Sequence, residues 1–482
     1  MNSKTIAQRK SVFWRIHLWA AFIATPFALV GALTGMLYIF TPQIEAALHG
    51  HLDRVAPQSQ PLALDALVAL AQQAAPKGAT LRHVVTPETA GQSVRVYFAS
   101  AGGRKAAMNT DDEHAEHQAA SPPAEGNAGA GRPQVNAGMN PDTTPGTKPG
   151  TKADKPGGMD HGLPQGSIVY INPYSGDVLG VQAEMDRFST WSKHLHSSLL
   201  QGNGWRWLLE LSTSWMFVML LTGLYLWWPR DGAAVRPDAG LQTRAGWKQW
   251  HAFTGMVLAA MSLVILVTGL TWSRQAGQQI KAAADWVGQG SPEAPKHLRT
   301  PAQPGQNLLG WQGVWDAART QAPHIAYQLN PPKQADEPWR ISNFDRSQPT
   351  KRFNLLLDGY SGQTLYYHGW SSFTLFSKAT AVGIPFHRGE FGWWNQALLL
   401  TFGVGVLWWL VSGWVMFAKR KRQGWLGLPR VLPGAWGSVS ATTVAIAAVC
   451  LVAMPVFAWS VAAVALVEMW LAWRPVRPTV VA

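Results

Sequence analysis

Four apolar runs govern what this chain can fold into. Leu18–Phe40, Leu211–Trp228, Ala252–Trp272 and Gln396–Ala418 each approach or exceed the ~20 apolar residues that a helix needs to cross a bilayer core. A segment in hydrocarbon must satisfy its own backbone, so each run is predicted to be a spanning helix. The stretch from Val439 to Trp473 is also apolar, but it is too long for one crossing and has Pro455 at its middle. It is expected to form two short helices breaking near Pro455 or one long kinked helix. Mean hydropathy near zero conceals this pattern, because very polar stretches alternate with the apolar runs. The 26 tryptophans suit membrane–water interfaces.

Basic residues orient the spans. Lys4, Arg9, Lys10 and Arg15 precede the first run. Arg230, Arg236, Arg244 and Lys248 fall in the loop 229–250, and Lys419, Arg420, Lys421 and Arg422 follow the fourth run. These segments are expected in the cytoplasm, with the long intervening segments on the outer side, the periplasm of a Gram-negative cell. The first run is longer than the h-region of a signal peptide and lacks a small-residue cleavage site, so an uncleaved anchor is expected. The same distribution accounts for the net charge of +13, from 40 basic and 27 acidic residues. No basic face interleaved with aromatics stands apart from the helices, so nucleic-acid binding is not expected. Cys450 is the single cysteine. One thiol cannot make an intrachain disulfide, a four-cysteine zinc site or an iron–sulfur cluster, and without C-x-x-C-H no haem can be attached covalently.

The chain reads as two similar halves. His17 and His251 are each followed after seventeen residues by Thr-Gly, at Thr34-Gly35 and Thr268-Gly269. His196 is followed after twenty-six by Thr222-Gly223, and His387 after twenty-five by Ser412-Gly413. Each half is therefore helix, outer domain, helix, with a histidine leading each helix. The outer domains repeat too: Ile168–Gly180 and Phe353–Tyr367 both read strand, Ser-Gly turn, strand. Upstream lie Leu62–Ala75 and Ser93–Ser100 in the first half, and Gly310–Gln321 and Trp339–Asn343 in the second, each a helix then a strand. Two small α+β domains are expected. Residues 101–165 are poor in aliphatics and are expected to be a disordered insertion. Their His114, His117, His161, Met108, Met139 and Met159 offer weak metal capture as a minor reading.

The resulting organisation is 1–40 for the cytoplasmic N-terminus and helix 1, 41–206 for the first outer domain, 207–228 for helix 2, 229–250 for a cytoplasmic loop and 251–272 for helix 3. The second outer domain is 273–393, helix 4 is 394–418, a cytoplasmic loop is 419–438, and the C-terminal helix or hairpin is 439–473.

A single histidine at a helix end is commonly a polar anchor. Four in two matched sets are more informative. His17 and His251 begin their helices from the cytoplasmic side; His196 and His387 precede theirs on the outer side. Imidazole suits iron, and two histidines on facing helices can clamp a porphyrin at its axial positions. The residues thus point to an α-helical membrane protein whose four-helix core holds two haems, His17/His251 near the cytoplasm and His196/His387 near the outer face. His194 is an alternative ligand: two residues from His196, it points the other way on a helix. Gly31, Gly35, Gly223, Gly255, Gly269, Gly403, Gly405 and Gly413 give a flat macrocycle clearance, although glycine is frequent in membrane helices anyway. Arg15, Lys193, Arg206, Arg244 and Arg388 lie near the histidine-bearing ends as propionate partners or ordinary interfacial cations. His368 is a candidate substrate-side residue, and His49, His51, His83, His297 and His324 fit surface positions.

The runs R-I-H-L-W-A with L-T-G, K-H-L-H-S-S-L-L-Q-G with L-T-G-L-Y-L-W-W, W-K-Q-W-H-A-F-T-G with V-T-G-L, and I-P-F-H-R-G-E-F-G with V-S-G-W resemble the PepSY-associated transmembrane helix family. The two outer hairpins resemble PepSY domains. The resemblance spans roughly residues 10–420, apart from the insertion. It implies an iron-regulated inner-membrane protein or ferric-siderophore reductase with two haem b groups, ligated by His17, His196, His251 and His387, with His196 preferred over His194.

Bis-histidine haem favours electron transfer over oxygen activation. The activity that the resemblance implies is haem-dependent reduction of a periplasmic ferric complex, a ferric siderophore or other ferric chelate, which weakens hard oxygen ligation and releases iron. No dinucleotide fingerprint or P-loop is present, so a cytoplasmic reductase or quinol must donate the electron. Two rivals are a haem-free PepSY regulator of a periplasmic protease and a permease using the histidines as a proton relay. The scarcity of intramembrane carboxylates, with only Glu210 and Glu468 near the spans, argues against the permease.

Overall fold

The computed structural model describes residues 3–100, 163–228, 236–292, 307–420 and 428–473, with a few positions between 293 and 306. The insertion with its His/Met residues, and Arg230, His297, Lys421 and Arg422, lie outside the described residues. Three helices are long and apolar enough to cross a membrane, and two bent pairs meet the same test together. The first helix, α1, runs from Ser3 to Tyr38. Its partner α5 is Arg206–Trp227, preceded by the short helix α4, Phe188–Ser198. The apolar run predicted as helix 3 is divided at Leu258 into α6, Arg244–Val257, and α7, Ala259–Thr271, which diverge by 62°. Arg244, Lys248 and Gln249 occupy the first two turns of α6 and favour a polar setting, whereas α7 has no charged residue. Helix 4 is α11, Trp393–Ala418, with the short α10, Leu375–Arg388, before it. Helix α1 packs against α5 and α11, α11 against α6, and α5 against α7. The apolar tail forms two helices, α12, Ala441–Ala453, and α13, Pro455–Trp473, bent by 117° at Pro455.

Small residues set the closest packing. Ala20, Ala24 and Ala28 recur every four residues on α1 and are buried, so α5 approaches closely enough for the Ser212 hydroxyl to donate to the Ala24 carbonyl at 3.1 Å. Buried Glu210 on α5 has a structural task. Its two carboxylate oxygens accept the Gln275 and Ala276 backbone N–H groups at 3.0 and 2.8 Å, closing the start of α8, Gln275–Trp286. Glu468 on α13 accepts Arg15 at 2.8 and 2.6 Å and the Trp19 indole at 2.5 Å, fastening the tail to α1.

The two long segments between the apolar runs contribute four strands each. β1 to β4 are Thr80–Val85, Val94–Ala99, Ser167–Ile171 and Val178–Ala183; β5 to β8 are Tyr327–Asn330, Trp339–Asn343, Phe353–Leu357 and Thr364–Gly369. They join edge to edge in one eight-stranded sheet ordered β4-β3-β2-β1-β5-β6-β7-β8. The seam is antiparallel, with Val84 opposite Leu329 and Val85 opposite Gln328. Pairing the two inner edges removes two exposed strand edges. The repeated Ser-Gly turns are confirmed in detail. Gly176 and Gly362 adopt φ of 78° and 71°, and the Asn172 and Asp358 side chains each accept a backbone N–H two residues on at 3.0 Å.

Alternation divides the sheet's faces. Val84, Val96, Phe98, Val169, Leu329, Ile341 and Leu355 pack under α3, Leu64–Ala74, and α9, Trp311–Gln321. The opposite face is aromatic and polar and turns toward the bundle: Tyr170 and Ile168 pack on Leu52 of α2, Thr41–Asp53, and Asn354 faces α10 across a cleft. His83, expected at the surface, lies on this face 5% exposed, stacked on Tyr97 at 4.4 Å.

Candidate functional site

The four histidines singled out in the sequence are each gripped in the same way. Nδ1 of His17 lies 3.0 Å from Oγ1 of Thr222, and Nδ1 of His196 lies 2.9 Å from Oγ1 of Thr34. In the second half Nδ1 of His251 lies 2.8 Å from Oγ of Ser412, and Nδ1 of His387 lies 3.0 Å from Oγ1 of Thr268. The arrangement is reciprocal: the Thr-Gly or Ser-Gly after one histidine holds the other histidine of that half.

Each hydroxyl has its own proton committed to its helix. Thr34, Thr222 and Thr268 donate to the carbonyls of Val30, Val218 and Val264 at 2.7, 2.8 and 2.7 Å, and Ser412 donates to Trp409 at 3.2 Å. The hydroxyl oxygen is therefore left as an acceptor and Nδ1 of the imidazole donates to it. This selects the tautomer in which Nε2 carries a lone pair, the form that ligates a metal, with an oriented hydrogen bond behind it.

The glycine of each motif supplies space. A Cβ at Gly223 would stand 3.3 Å from Cε1 of His17, at Gly35 3.4 Å from His196, at Gly269 3.5 Å from His387 and at Gly413 3.8 Å from His251. The rings thus lie against helix backbone, and a branched side chain at these positions would push them away.

The halves also meet electrostatically. His17 is within electrostatic range of His251, and His387 of His196. His17 and Thr34 are both on α1, so the two pairs are separated by seventeen residues of helix, about 25 Å of rise. Among the described residues no group of three or more His, Cys, Asp or Glu side chains gathers. Two imidazoles within electrostatic range of one another are a donor set that would suit a haem iron.

His196 and His387 do not begin the spanning helices. They end α4 and α10, short helices folded back onto α1 and α7. Leu199 and Leu200 turn the chain after His196 with φ of 54° and 61°, and Gly389 does so after His387 with φ 76°. Of the two neighbouring histidines, His196 is the one that meets Thr34, while the His194 carbonyl receives Ser198 at 3.0 Å.

The candidate propionate partners have protein contacts. Arg15 is bidentate to Glu468 and donates to the Pro429 carbonyl at 2.6 Å. Arg206 donates to the Trp272 carbonyl at 2.8 Å, and Arg244 to Met416 at 3.3 Å. Arg388 donates to the Tyr38 hydroxyl at 2.9 Å and pairs with Glu390 at 3.0 Å. His368 lies on the bundle-facing side of β8, its ring stacked on Phe373 at 5.1 Å.

A family model for the PepSY-associated TM region matches residues 14–420. The chain belongs to this family. All four histidines and all four Thr-Gly or Ser-Gly motifs lie inside the matched region of this PepSY-associated protein, and the α12–α13 tail lies beyond it. A comparison with curated proteins gives no match.

Proposed function

We propose that this chain is an inner-membrane electron-transfer protein that binds two haem b groups and reduces a ferric complex, a ferric siderophore, on the periplasmic side. The observation that carries the reading is the fourfold repeat of an imidazole whose Nδ1 is bound by a hydroxyl from another helix, leaving Nε2 for a metal. His17 and His251 would hold one haem toward the cytoplasm, and His196 and His387 the other toward the periplasm. When bound, such a six-coordinate group exchanges single electrons with little rearrangement. The protein's own part is to fix each ring. The hydroxyls set the tautomer, and the glycines admit the imidazole edge.

The ferric complex is the substrate. Its reduction to the ferrous state weakens binding by hard oxygen donors and frees the metal. A quinol or a cytoplasmic reductase is the proposed donor.

The test is spectroscopic. Purified protein from haem-replete cells is expected to be red, with a reducible b-type spectrum and two haems per chain. His17→Ala and His251→Ala should each lose the same haem, and His196→Ala and His387→Ala the other. A colourless preparation sinks the proposal and favours a regulatory role for the outer sheet.

A further inference from the structure

Each half places a stacked aromatic pair beside its first histidine. Phe13, four residues before His17 on α1, stacks on Tyr225 of α5 with ring centroids 3.9 Å apart. Trp247, four residues before His251 on α6, stacks on Trp408 of α11 at 5.4 Å and 19°. Residues four apart share a helix face, so each pair lies one turn from its histidine. Trp408 is likewise four residues before Ser412, whose hydroxyl meets Nδ1 of His251 at 2.8 Å. Phe13 makes its stack without an N–H group, so packing at this position does not itself call for an indole.

The second half adds two donors. Nε1 of Trp247 and Nε1 of Trp408 are buried and meet no acceptor among the described residues. Other indoles of the bundle are paired: Trp19 with Glu468 at 2.5 Å, Trp215 with Ser460 at 2.8 Å and Trp409 with Thr254 at 3.1 Å. A buried indole N–H normally has a partner, so two unmatched donors in one stack point to an acceptor from outside the chain. Both side chains are half-buried, and their stack borders accessible space.

The donor set selects the class of acceptor. An indole donates and does not accept. A quinol must itself donate, and this stack offers its hydroxyl no acceptor. A carboxylate needs only donors, and it cannot be buried without them. Haem b carries two propionate carboxylates on its rim.

We propose that Trp247 and Trp408 hold a propionate of the haem at the His17/His251 pair through their indole N–H groups. The proposal rests on the electron-transfer reading. It adds an anchor at the rim of the macrocycle to the axial imidazoles, and it gives that anchor to one half of the duplication. Both tryptophans are positioning residues.

The test uses the full chain, produced without haem, placed in nanodiscs and loaded with haem b or with its dimethyl ester, whose propionates are capped. Transfer to apomyoglobin and the midpoint potential of each haem are read. In the parent, the ester should leave the His17/His251 site about tenfold faster than haem b, the equivalent of one charge-assisted contact. W247F/W408F keeps the stack and should lose haem b about tenfold faster than the parent does, with the ester unaffected, because both changes remove the same contact. One midpoint potential should move and the other stay. The single variants give the same comparison if the double variant does not fold, and the parent's own difference between haem and ester needs no variant. W393F, 80% exposed at the start of α11, should behave as the parent does.

Equal retention of haem b and ester in the parent, or a difference that survives W247F/W408F, overturns the proposal. So does slower oxidation of a quinol with retention and potentials unmoved, which would give the N–H groups to the electron donor. A parent that takes up no haem removes the electron-transfer reading and this proposal with it. A red parent indifferent to these substitutions removes this proposal alone.

Discussion

Nδ1 of His17 and Oγ1 of Thr222 face each other at 3.0 Å across the contact of α1 with α5. Because the Thr222 proton is held by the Val218 carbonyl, this bond fixes which nitrogen of the ring is protonated. Removing the hydroxyl frees the ring to turn and lets either tautomer form. Thr222→Val is therefore expected to weaken retention of one haem by roughly 10–100-fold, the usual cost of losing such a supporting partner, while Thr222→Ser retains it. Haem-to-protein ratios during dialysis against apomyoglobin check this. Equal retention in the valine and serine variants would remove the hydroxyl from the argument.

The histidines were legible in the sequence because their spacing repeats. The Thr-Gly and Ser-Gly motifs were legible as marks of duplication, but not as grips on the rings. Thr222 and His17 are 205 residues apart, and the partner of each hydroxyl lies on a different helix from the histidine that sets its spacing. The repeated spacing does carry a usable signal, since it places each motif at the end of its helix where the other histidine of the half arrives. The seam between Val84 and Leu329 was hidden for a similar reason. Each set of four strands has a complete alternating pattern of its own, and pairing between their edges uses backbone groups that side-chain periodicity does not report. The burial of His83 was missed because it alternates with Val84 on a strand buried on both faces.

Glu210 bears on stability. Buried and capping the first turn of α8, it satisfies two backbone N–H groups that have no other acceptor in their helix. Glu210→Ala should cost about 1–3 kcal/mol for each donor left unbound, and Glu210→Gln should recover part by keeping one acceptor oxygen. Thermal unfolding in detergent, followed by tryptophan fluorescence, should rank parent above glutamine above alanine. An alanine variant as stable as the parent would mean that water or another group caps α8.

Arg15 and Glu468 connect the family's matched region to the tail outside it. Glu468→Ala leaves the guanidinium with the Pro429 carbonyl but without its counter-ion, so the double change with Arg15→Ala should destabilise less than the sum of the two single changes. A double-mutant cycle on the apparent Tm measures the coupling. Additive effects would show that α13 is held by its apolar contacts, such as Phe457 on Trp215, and by the Trp215–Ser460 hydrogen bond.

Acid should loosen the sheet through His83. Burial, reinforced by Arg82 and Arg95, holds its pKa well below the ordinary 6.5. The folded protein therefore keeps His83 neutral while the unfolded chain takes up a proton as pH falls through about 6.5. Unfolded molecules bind more protons below that point, so stability is retained above it and declines on acidification, by up to ~1.4 kcal/mol per pH unit for one group, until the folded pKa is reached. His83→Gln removes this titration and keeps a polar side chain beside Tyr97. The fall in apparent Tm between about pH 7.5 and about pH 5 should be smaller in the variant than in the parent. An unchanged pH slope would place the acid-sensitive group elsewhere in the sheet.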